Sequence, residues 1–364
     1  RNFVEILEKL WWPLDRALTK EAVYYSAMVC LIDAIQHGTT ALFDHHASPS
    51  FIGGSLDEIE RAVLESGLRA SLCYEVTDRN GAAQAQEGIE ENLRFIQKAA
   101  GREKDGLIAA SFGLHACLTL SDETLKLVRM SLPADFGVHI HTAEDLADQH
   151  DSLAKYSQRV IQRLQRHELL GRKSIVVHGV HLDAAEIDLL KQTNTALAHQ
   201  PRSNMNNAVG IGDVQSMLNH GVLVTLGNDG FSNAMWEEWK TAYLVHKAWN
   251  RDPQRMGGYD LMRIAVDNNR ELVERHFGVK TGQLAPGYQA DLMFVDYQPY
   301  TPLTGGNFPW HAVFGFRDSM VTATMVKGKF LMKDRKVLGV DADSIYKEAL
   351  ALAPHVWAAY QKSF

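Results

Sequence analysis

Residues 137–144 combine the side chains best suited to chemistry. They read G-V-H-I-H-T-A-E, so His139 and His141 are two positions apart and point to one face of a strand. Glu144 follows three positions after His141, so a strand ending near His141 needs a loop to turn this carboxylate back. A metal-dependent hydrolase needs an imidazole ligand and a nearby carboxylate that carries protons. A core histidine followed by a surface glutamate is the alternative, and this block alone does not decide between them.

Polar side chains also end four other predicted strands: His115, His178, His199 and Asp229. In a parallel barrel the carboxyl ends of the strands form the active site. Each residue alone has an ordinary explanation, because a strand-tip aspartate is often a turn residue or a helix cap. Polar groups at the ends of five consecutive strands favour a functional rim.

Strands and helices alternate along the part of the chain that must position these groups. Strands are predicted at 39–46, 69–76, 107–117, 137–141, 174–182, 195–199 and 222–227. Helices are predicted at 3–10, 20–37, 56–66, 82–99, 122–131, 152–167, 184–191 and 213–219. This alternation predicts an α/β fold, and so many units favour a TIM-type (β/α)8 barrel over an open sheet. The count is one strand short at the front, so we expect the first barrel strand to be missing from this chain.

The sequence after residue 280 has a different character. A turn-rich segment leads into an apolar strand within 282–295, and two runs at 321–327 and 329–332 flank Gly328 as in an antiparallel hairpin. We therefore predict three regions: a barrel at 1–281, a small β domain of sandwich-like form at 282–340, and a C-terminal helix within 341–364.

Composition excludes several classes of function. The chain has 364 residues, 46% of them hydrophobic, and a net charge of −7, which gives no reason to expect nucleic-acid or membrane-surface binding. Three scattered cysteines indicate a reducing compartment, so we predict a cytoplasmic protein. The chain opens with Arg1 and directly enters an amphipathic segment, so we expect its natural N-terminus to lie upstream.

Four ordered blocks resemble one family. H-T-A-E (141–144), H-G-V-H-L (178–182), H-Q-P-R-S-N-M (199–205) and G-N-D-G-F-S-N (227–233) resemble the amidohydrolase superfamily. The resemblance points to its chlorohydrolase/aminohydrolase branch, which includes guanine, cytosine and S-adenosylhomocysteine deaminases, and within it to SsnA-type aminohydrolases. It covers essentially the whole chain.

The resemblance implies roles for individual residues. His141 and Asp229 match metal ligands, Glu144 matches the proton shuttle, and His178 matches a histidine beside the attacking water that could also touch the metal. The substrate contacts expected from it are His115, Asn204 and Ser232. It further implies a small-molecule substrate, a homodimer and one divalent metal ion, with zinc preferred to iron or manganese. The absence of a lysine at the ends of the strands at 69–76 and 107–117 favours one metal over two.

The chain departs from the family pattern at one place. The family's first two ligands form an H-x-H pair at the end of the first strand, and this sequence has none there. His45 and His46 are adjacent, so they would diverge on a strand and substitute poorly as a pair, although one could face the barrel mouth. His139 is expected in the barrel interior. We therefore expect weak metal retention and low or no activity from this chain.

The chemistry that follows is hydrolysis. A zinc-type ion lowers the pKa of bound water from about 16 to about 7, and the hydroxide would attack a C–N centre of a purine, pyrimidine, pterin-like ring or amidine to release ammonia. Opening of a cyclic amide or imidazolone, displacement of chloride, and a catalytically inactive barrel scaffold are the alternatives. Six further histidines are predicted to be surface groups: His150, His167, His220, His246, His276 and His355.

Overall fold

The computed structural model describes residues 2–100, 102 and 106–363. The strands are β1 Ala41–Phe43, β2 Arg69–Leu72, β3 Ile108–Ala110, β4 Phe112–Ala116, β5 Val138–Thr142, β6 Ile175–His178, β7 Ala196–His199, β8 Leu223–Leu226, β9 Leu292–Val295, β10 Val321–Val326, β11 Lys329–Lys333 and β12 Lys336–Val337. The helices are α1 Phe3–Ile6, α2 Trp12–Ala17, α3 Lys20–Gln36, α4 Ser55–Ser66, α5 Ala82–Ala100, α6 Asp122–Ser131, α7 Leu146–Tyr156, α8 Val160–Arg166, α9 Ala184–Gln192, α10 Pro201–Asn206, α11 Val214–Asn219, α12 Met235–Asn250, α13 Gly258–Met262, α14 Asn268–Phe277, α15 Phe308–Gly315 and α16 Ala342–Gln361. Short π-helical turns at Leu7–Trp11 and Arg263–Asp267 continue α1 and α13.

Strands β1 to β8 form the wall of a parallel α/β barrel. Each strand pairs in parallel with its neighbour in chain order, from β1 to β3 and from β4 to β8. Helices alternate with the strands, and apolar side chains from both fill the core. This arrangement is the TIM-type barrel that the alternation of elements predicts.

The strand predicted at 107–117 is divided at Ser111. Its first half, β3, pairs with β2, and its second half, β4, pairs with β5. The wall stays continuous across the break, because the Ser111 N–H donates to the Leu72 carbonyl at 3.1 Å and Val76 N–H donates to Gly113 at 3.1 Å. A bend of this kind lets one strand belong to two differently inclined parts of the wall.

Helix α14 contacts both edge strands of the barrel wall. The Asn269 side chain donates to the Leu226 carbonyl at 3.0 Å and accepts from the Leu226 N–H at 2.9 Å. The ring of Phe277 packs edge-on against Phe43 of β1, with centroids 5.9 Å apart. Strand β8 lies at the edge of its sheet, and among the described residues no further strand pairs with this edge. The Asn269 side-chain amide satisfies backbone groups of β8 there. The missing first strand stays a prediction.

The single helix predicted at 152–167 is two helices. Helix α7 begins earlier, at the N-cap Asp145, whose carboxylate accepts from the Ala147 N–H at 2.8 Å. It ends at Ser157, which has a left-handed φ of 55°, and α8 begins at Val160. Aspartate caps and left-handed terminal residues are ordinary helix boundaries, and the apolar pattern alone did not reveal them.

The C-terminal region contains the predicted hairpin. Strands β10 and β11 pair antiparallel, with Val326 opposite Lys329, in a four-stranded sheet with β9 and β12. A sandwich would need a second sheet packed against this one. Among the described residues helix α3 packs there instead, and the Thr324 hydroxyl donates to the Ile35 carbonyl of that helix at 2.7 Å. The domain limits at residues 281 and 340 stay predictions.

Candidate active site

A large cavity opens at the carboxyl ends of the barrel strands. Its volume is about 1390 Å³, and it extends from the barrel interior to the N-terminal helices and α16. The predicted site residues that line it are His115, His141, Glu144, His178, Asp229 and Ser232. Residues from four separate strand ends and the loops after them therefore meet at one space.

Left-handed backbone conformations stand at three of these strand ends. Ala143, His178 and Asp229 have φ values of 46°, 71° and 52°. L-residues rarely adopt this conformation, and it reverses the chain direction sharply. At Ala143 the turn after β5 brings the Glu144 carboxylate back to within 3.3 Å of His178.

His178 lies between two carboxylates and is 1% exposed at its side chain. Its Nε2 atom is 3.3 Å from Glu144 Oε2 and 3.7 Å from Asp229 Oδ2. Its Nδ1 atom donates to the Asn204 side-chain oxygen at 2.8 Å, so Nε2 is the nitrogen that faces the cavity. A proton or a cation must lie among these three groups, because a lone pair and two carboxylates repel one another.

The two carboxylates have opposite pKa shifts. Burial raises the pKa of Glu144, and the nearby Asp229 charge raises it further, against the opposing effects of His178 and Asn207. Burial would also raise the pKa of Asp229, but the His178 charge and the hydrogen bond from Ser203, at 2.7 Å, hold this pKa below its usual value. Two neighbouring acids with pKa values pushed apart can divide the roles of proton donor and acceptor.

His141 presents an unprotonated nitrogen to the cavity. Its Nδ1 atom donates to the His115 carbonyl at 2.9 Å, which leaves Nε2 free. Burial, followed by the His45 charge, lowers the pKa of His141 to about 3, so the ring is neutral at physiological pH. A neutral imidazole fixed in this way is the usual form of a histidine metal ligand.

The predicted substrate contacts occupy different positions. His115 is buried at the cavity, where Nδ1 lies 2.7 Å from the Thr119 hydroxyl, and burial lowers its pKa to about 4. Ser232 is exposed at the rim, with its hydroxyl 3.3 Å from Arg202. Asn204 is fully buried and accepts a hydrogen bond from His178, so in this structure it contacts that histidine and does not line the cavity.

The predictions for two histidines outside the rim had different outcomes. His139 is buried in the barrel, with Nδ1 3.8 Å from the Cys73 sulfur, as expected for an interior residue. His246, predicted at the surface, is 2% exposed, and its Nε2 atom is 3.0 Å from Nε2 of His199. That prediction is wrong, because the residue lies on the face of α12 that packs on the barrel.

Sequence reasoning missed the position of Glu75 and left open which of His45 and His46 faces the barrel mouth. The side chains of His45, Glu75 and His141 place one ligand atom each within 4.8 Å of one another, the one such group of three found among the described residues. His46 instead points to Ser48, at 2.8 Å, so the two adjacent histidines diverge as expected. The signal that was available is a carboxylate inside the apolar run L-C-Y-E-V at 72–76.

Comparison with known proteins identifies the family. The model of the amidohydrolase family matches residues 2–331. The chain belongs to the amidohydrolase family. It is therefore a hydrolase that acts on carbon–nitrogen bonds other than peptide bonds, and the aminohydrolase branch inferred from its sequence blocks is confirmed.

Relatives within the family are deaminases by name. The 5'-deoxyadenosine deaminase of Methanosarcina mazei is 32% identical over 362 residues, which are 98% of this chain and 81% of that protein. The 5-methylthioadenosine/S-adenosylhomocysteine deaminase of Pelotomaculum thermopropionicum is 32% identical over 348 residues, which are 94% of this chain and 77% of that protein.

Solved structures show the same fold. An adenosine deaminase from Xanthomonas campestris with bound zinc matches with a TM-score of 0.86 and 24% identity, covering 98% of this chain and 81% of that one. Atrazine chlorohydrolase TrzN from Arthrobacter aurescens TC1, complexed with zinc, matches with a TM-score of 0.79 and 17% identity, covering 96% and 81%. These likenesses confirm the barrel architecture.

Family membership implies a divalent metal ion, and the side chains at the cavity fit one. His141 offers a free Nε2, and Nε2 of His178 is buried without a hydrogen-bond partner. Asp229 is held ionised nearby. Imidazole nitrogen and carboxylate oxygen are the donors that zinc and ferrous iron accept.

Proposed function

We propose that this protein hydrolytically removes an amino group from a purine-like ring and releases ammonia. One observation supports this above the others: His178 Nε2 lies between Glu144 and Asp229, two carboxylates whose pKa values shift in opposite directions. Deamination requires one group that takes a proton from water and another that delivers a proton to the leaving nitrogen. The deaminase relatives, at 32% identity, support a ring of the adenine type.

His141 and Asp229 would hold the metal ion, and His178 could touch it as well. Zinc is the ion that we propose, since nitrogen and carboxylate donors suit it. A bound zinc ion makes water acidic enough to react near neutral pH, with a pKa of about 7. We further propose a homodimer in the cytoplasm; the free thiols of Cys30, Cys73 and Cys117 support a reducing compartment.

The protein's own residues manage the protons. The oxygen of water forms a bond to the ring carbon, and the bond from that carbon to the amino nitrogen breaks. Asp229, with its lowered pKa, accepts a proton from the water, while Glu144, with its raised pKa, delivers a proton to the leaving nitrogen. His178 orients the water through Nε2, and Asn204 fixes its ring. The remaining hydroxyl proton moves to the adjacent ring nitrogen, so the products are a ring carbonyl and ammonia. Return of the Asp229 proton to Glu144 restores both carboxylates.

Replacement of Glu144 tests this assignment. Glu144→Gln keeps the size and the hydrogen bond with Asn207 but cannot carry a proton, so we expect ammonia release to fall at least about 100-fold. Bound metal per chain, measured by atomic emission, should stay unchanged. Glu348→Gln, at an exposed carboxylate on α16, is the matched control.

Ammonia release should be measured with adenosine-type nucleosides, guanine, cytosine and pterins. Normal turnover by the Glu144→Gln variant would show that Glu144 is not the proton carrier. No ammonia from any of these rings with the unaltered, metal-loaded protein would contradict the proposed function itself.

A further inference from the structure

His45, Glu75 and His141 come from three separate places in the barrel wall. His45 follows β1, Glu75 follows β2, and His141 lies in β5. Their ligand atoms nevertheless lie within 4.8 Å of one another. The side chains of His45 and Glu75 are 10% and 8% exposed, so the protein encloses this group.

In their neutral forms, both histidines of the group direct an electron pair into it. Nε2 of His45 lies 3.0 Å from the Leu114 carbonyl and 3.1 Å from the His139 carbonyl. Carbonyl oxygens only accept hydrogen bonds, so Nε2 carries the hydrogen and Nδ1 of His45 is left as the ligand atom. His141 has the reverse arrangement, since its Nδ1 donates to the His115 carbonyl and Nε2 is free. Backbone carbonyls commonly orient histidine ligands of metal ions in this way.

The contact between His45 and Glu75 requires a positive charge. His45 Nδ1 is 3.4 Å from Glu75 Oε2, and two such electron-rich atoms repel one another unless a proton or a metal ion lies between them. A tetrahedral ion with bonds of about 2.1 Å separates neighbouring ligand atoms by about 3.4 Å, so the observed spacing suits a metal ion.

Neighbouring charges keep Glu75 available as an anion. Its other oxygen, Oε1, lies 3.0 Å from the Arg79 guanidinium, which orients the carboxylate. Arg79 is itself 3.0 Å from Asp15, so a second carboxylate offsets its charge beside the site. Among these groups Arg79 alone is a fixed cation, and it contacts Oε1 of Glu75, whereas His45 faces Oε2.

We propose that His45 and Glu75 are ligands of the divalent ion that His141 holds, so that one imidazole and one carboxylate join His141 and Asp229 around it. This inference rests on the proposed function only through His141, because neither His45 nor Glu75 belongs to the ligand set implied by the family resemblance. Such a set suits zinc and ferrous iron and leaves positions open for water.

Zinc affinity of the full chain tests the assignment. Chelator-stripped protein is titrated with zinc against a competing chelator, and bound zinc per chain is measured by atomic emission. Removal of a residue that only hydrogen-bonds a metal ligand lowers metal affinity by about 10–100-fold. Loss of a ligand itself should cost no less, so Glu75→Gln and His45→Gln should each weaken zinc binding at least 10-fold. His46→Gln is the matched control, since His46 bonds to Ser48 outside the group, and it should bind zinc as the unaltered protein does. Unchanged affinity in the Glu75→Gln variant would overturn the proposal.

A second measurement on the unaltered chain guards against variants that fail to fold. Crystals soaked in zinc chloride should show an anomalous peak bonded to His45 Nδ1, Glu75 Oε2 and His141 Nε2. A peak bonded to Asp229 without His45 and Glu75 would overturn the proposal, as would protein that binds no zinc. A peak at the proposed position in protein that releases no ammonia would leave this inference intact and contradict only the proposed function.

Discussion

Single hydrogen bonds decide which nitrogen of each histidine faces the cavity. His141 is fixed by a backbone carbonyl, His45 by two of them, and His178 by the Asn204 side chain. The sequence blocks place His141 and His178 at strand ends, and their chemistry could be predicted from that position. The tautomers could not be predicted, because the acceptors come from residues 26 to 94 positions away in the chain.

Asn204 is the partner whose removal isolates this effect. Asn204→Ala leaves His178 Nδ1 without an acceptor, so its protonated nitrogen can change, and we expect kcat to fall about 10–100-fold. Asn204→Asp keeps an oxygen acceptor and should recover part of the activity. The measurement is steady-state ammonia release, with Asn219→Ala on the exposed surface as the control. Equal losses in the alanine and aspartate variants would argue that Asn204 only fills space.

Helices and strands were largely predictable because their apolar faces repeat at the expected spacing. The series from β1 to β8 and the β10–β11 hairpin follow from this pattern. The features that did not follow include the break at Ser111, the separate helices α7 and α8, and helix α12, whose buried face contains His246. The break at Ser111 and the burial of α12 depend on contacts between distant segments, and the boundary between α7 and α8 depends on helix caps; periodicity encodes neither.

The end of α3 provides a pH-dependent element. His37 caps this helix, and its Nδ1 atom lies 2.8 Å from the Asp33 carbonyl and 3.1 Å from the Asp33 carboxylate. The hydrogen bond with Asp33 is the main cause that raises the pKa of His37, against burial. The protonated form is therefore favoured in the folded state. Protonated His37 therefore stabilises the folded state fully below the unfolded pKa of about 6.5, and this stabilisation is lost as pH rises through the higher folded pKa.

Replacement of His37 should remove this dependence. We expect His37→Gln to lower the free energy of unfolding by about 0.3–1 kcal/mol more at pH 5.5 than at pH 8.5. Urea unfolding at the two pH values measures the difference, and His150→Gln, at an exposed histidine, is the control. An equal effect of His37→Gln at both pH values would contradict the assignment.

At the scale of the whole molecule, one buried ion pair joins the barrel to the C-terminal sheet region. Arg69 begins β2, and its side chain is 0% exposed; Asp291 directly precedes β9, and its side chain is 3% exposed. The guanidinium donates to Asp291 Oδ2 through Nη2 at 2.8 Å and through Nε at 3.3 Å. The sequence predicted both regions but not this pair, since 222 positions separate the residues.

No helix among the residues that the structure describes is long and apolar enough to cross a membrane.

Loss of the aspartate should destabilise the whole fold. Asp291→Asn leaves a buried guanidinium without its counter-charge, and we expect the free energy of unfolding to fall by about 3–5 kcal/mol. Guanidinium chloride unfolding followed by circular dichroism measures this change. Asp296→Asn, at an exposed position a few residues further on, should change it by less than about 0.5 kcal/mol. A loss of similar size in both variants would mean that the ion pair is not the cause.

The left-handed turns at Ala143, His178 and Asp229 have a further consequence for the molecule. Each such torsion is locally unfavourable by about 1–2 kcal/mol, so a free peptide of the same sequence would rarely adopt it. These torsions persist only while the surrounding strands enforce them. The local sequence at these three strand ends therefore does not by itself favour the native torsions, and a partly loosened barrel would let the three residues relax and lose their alignment.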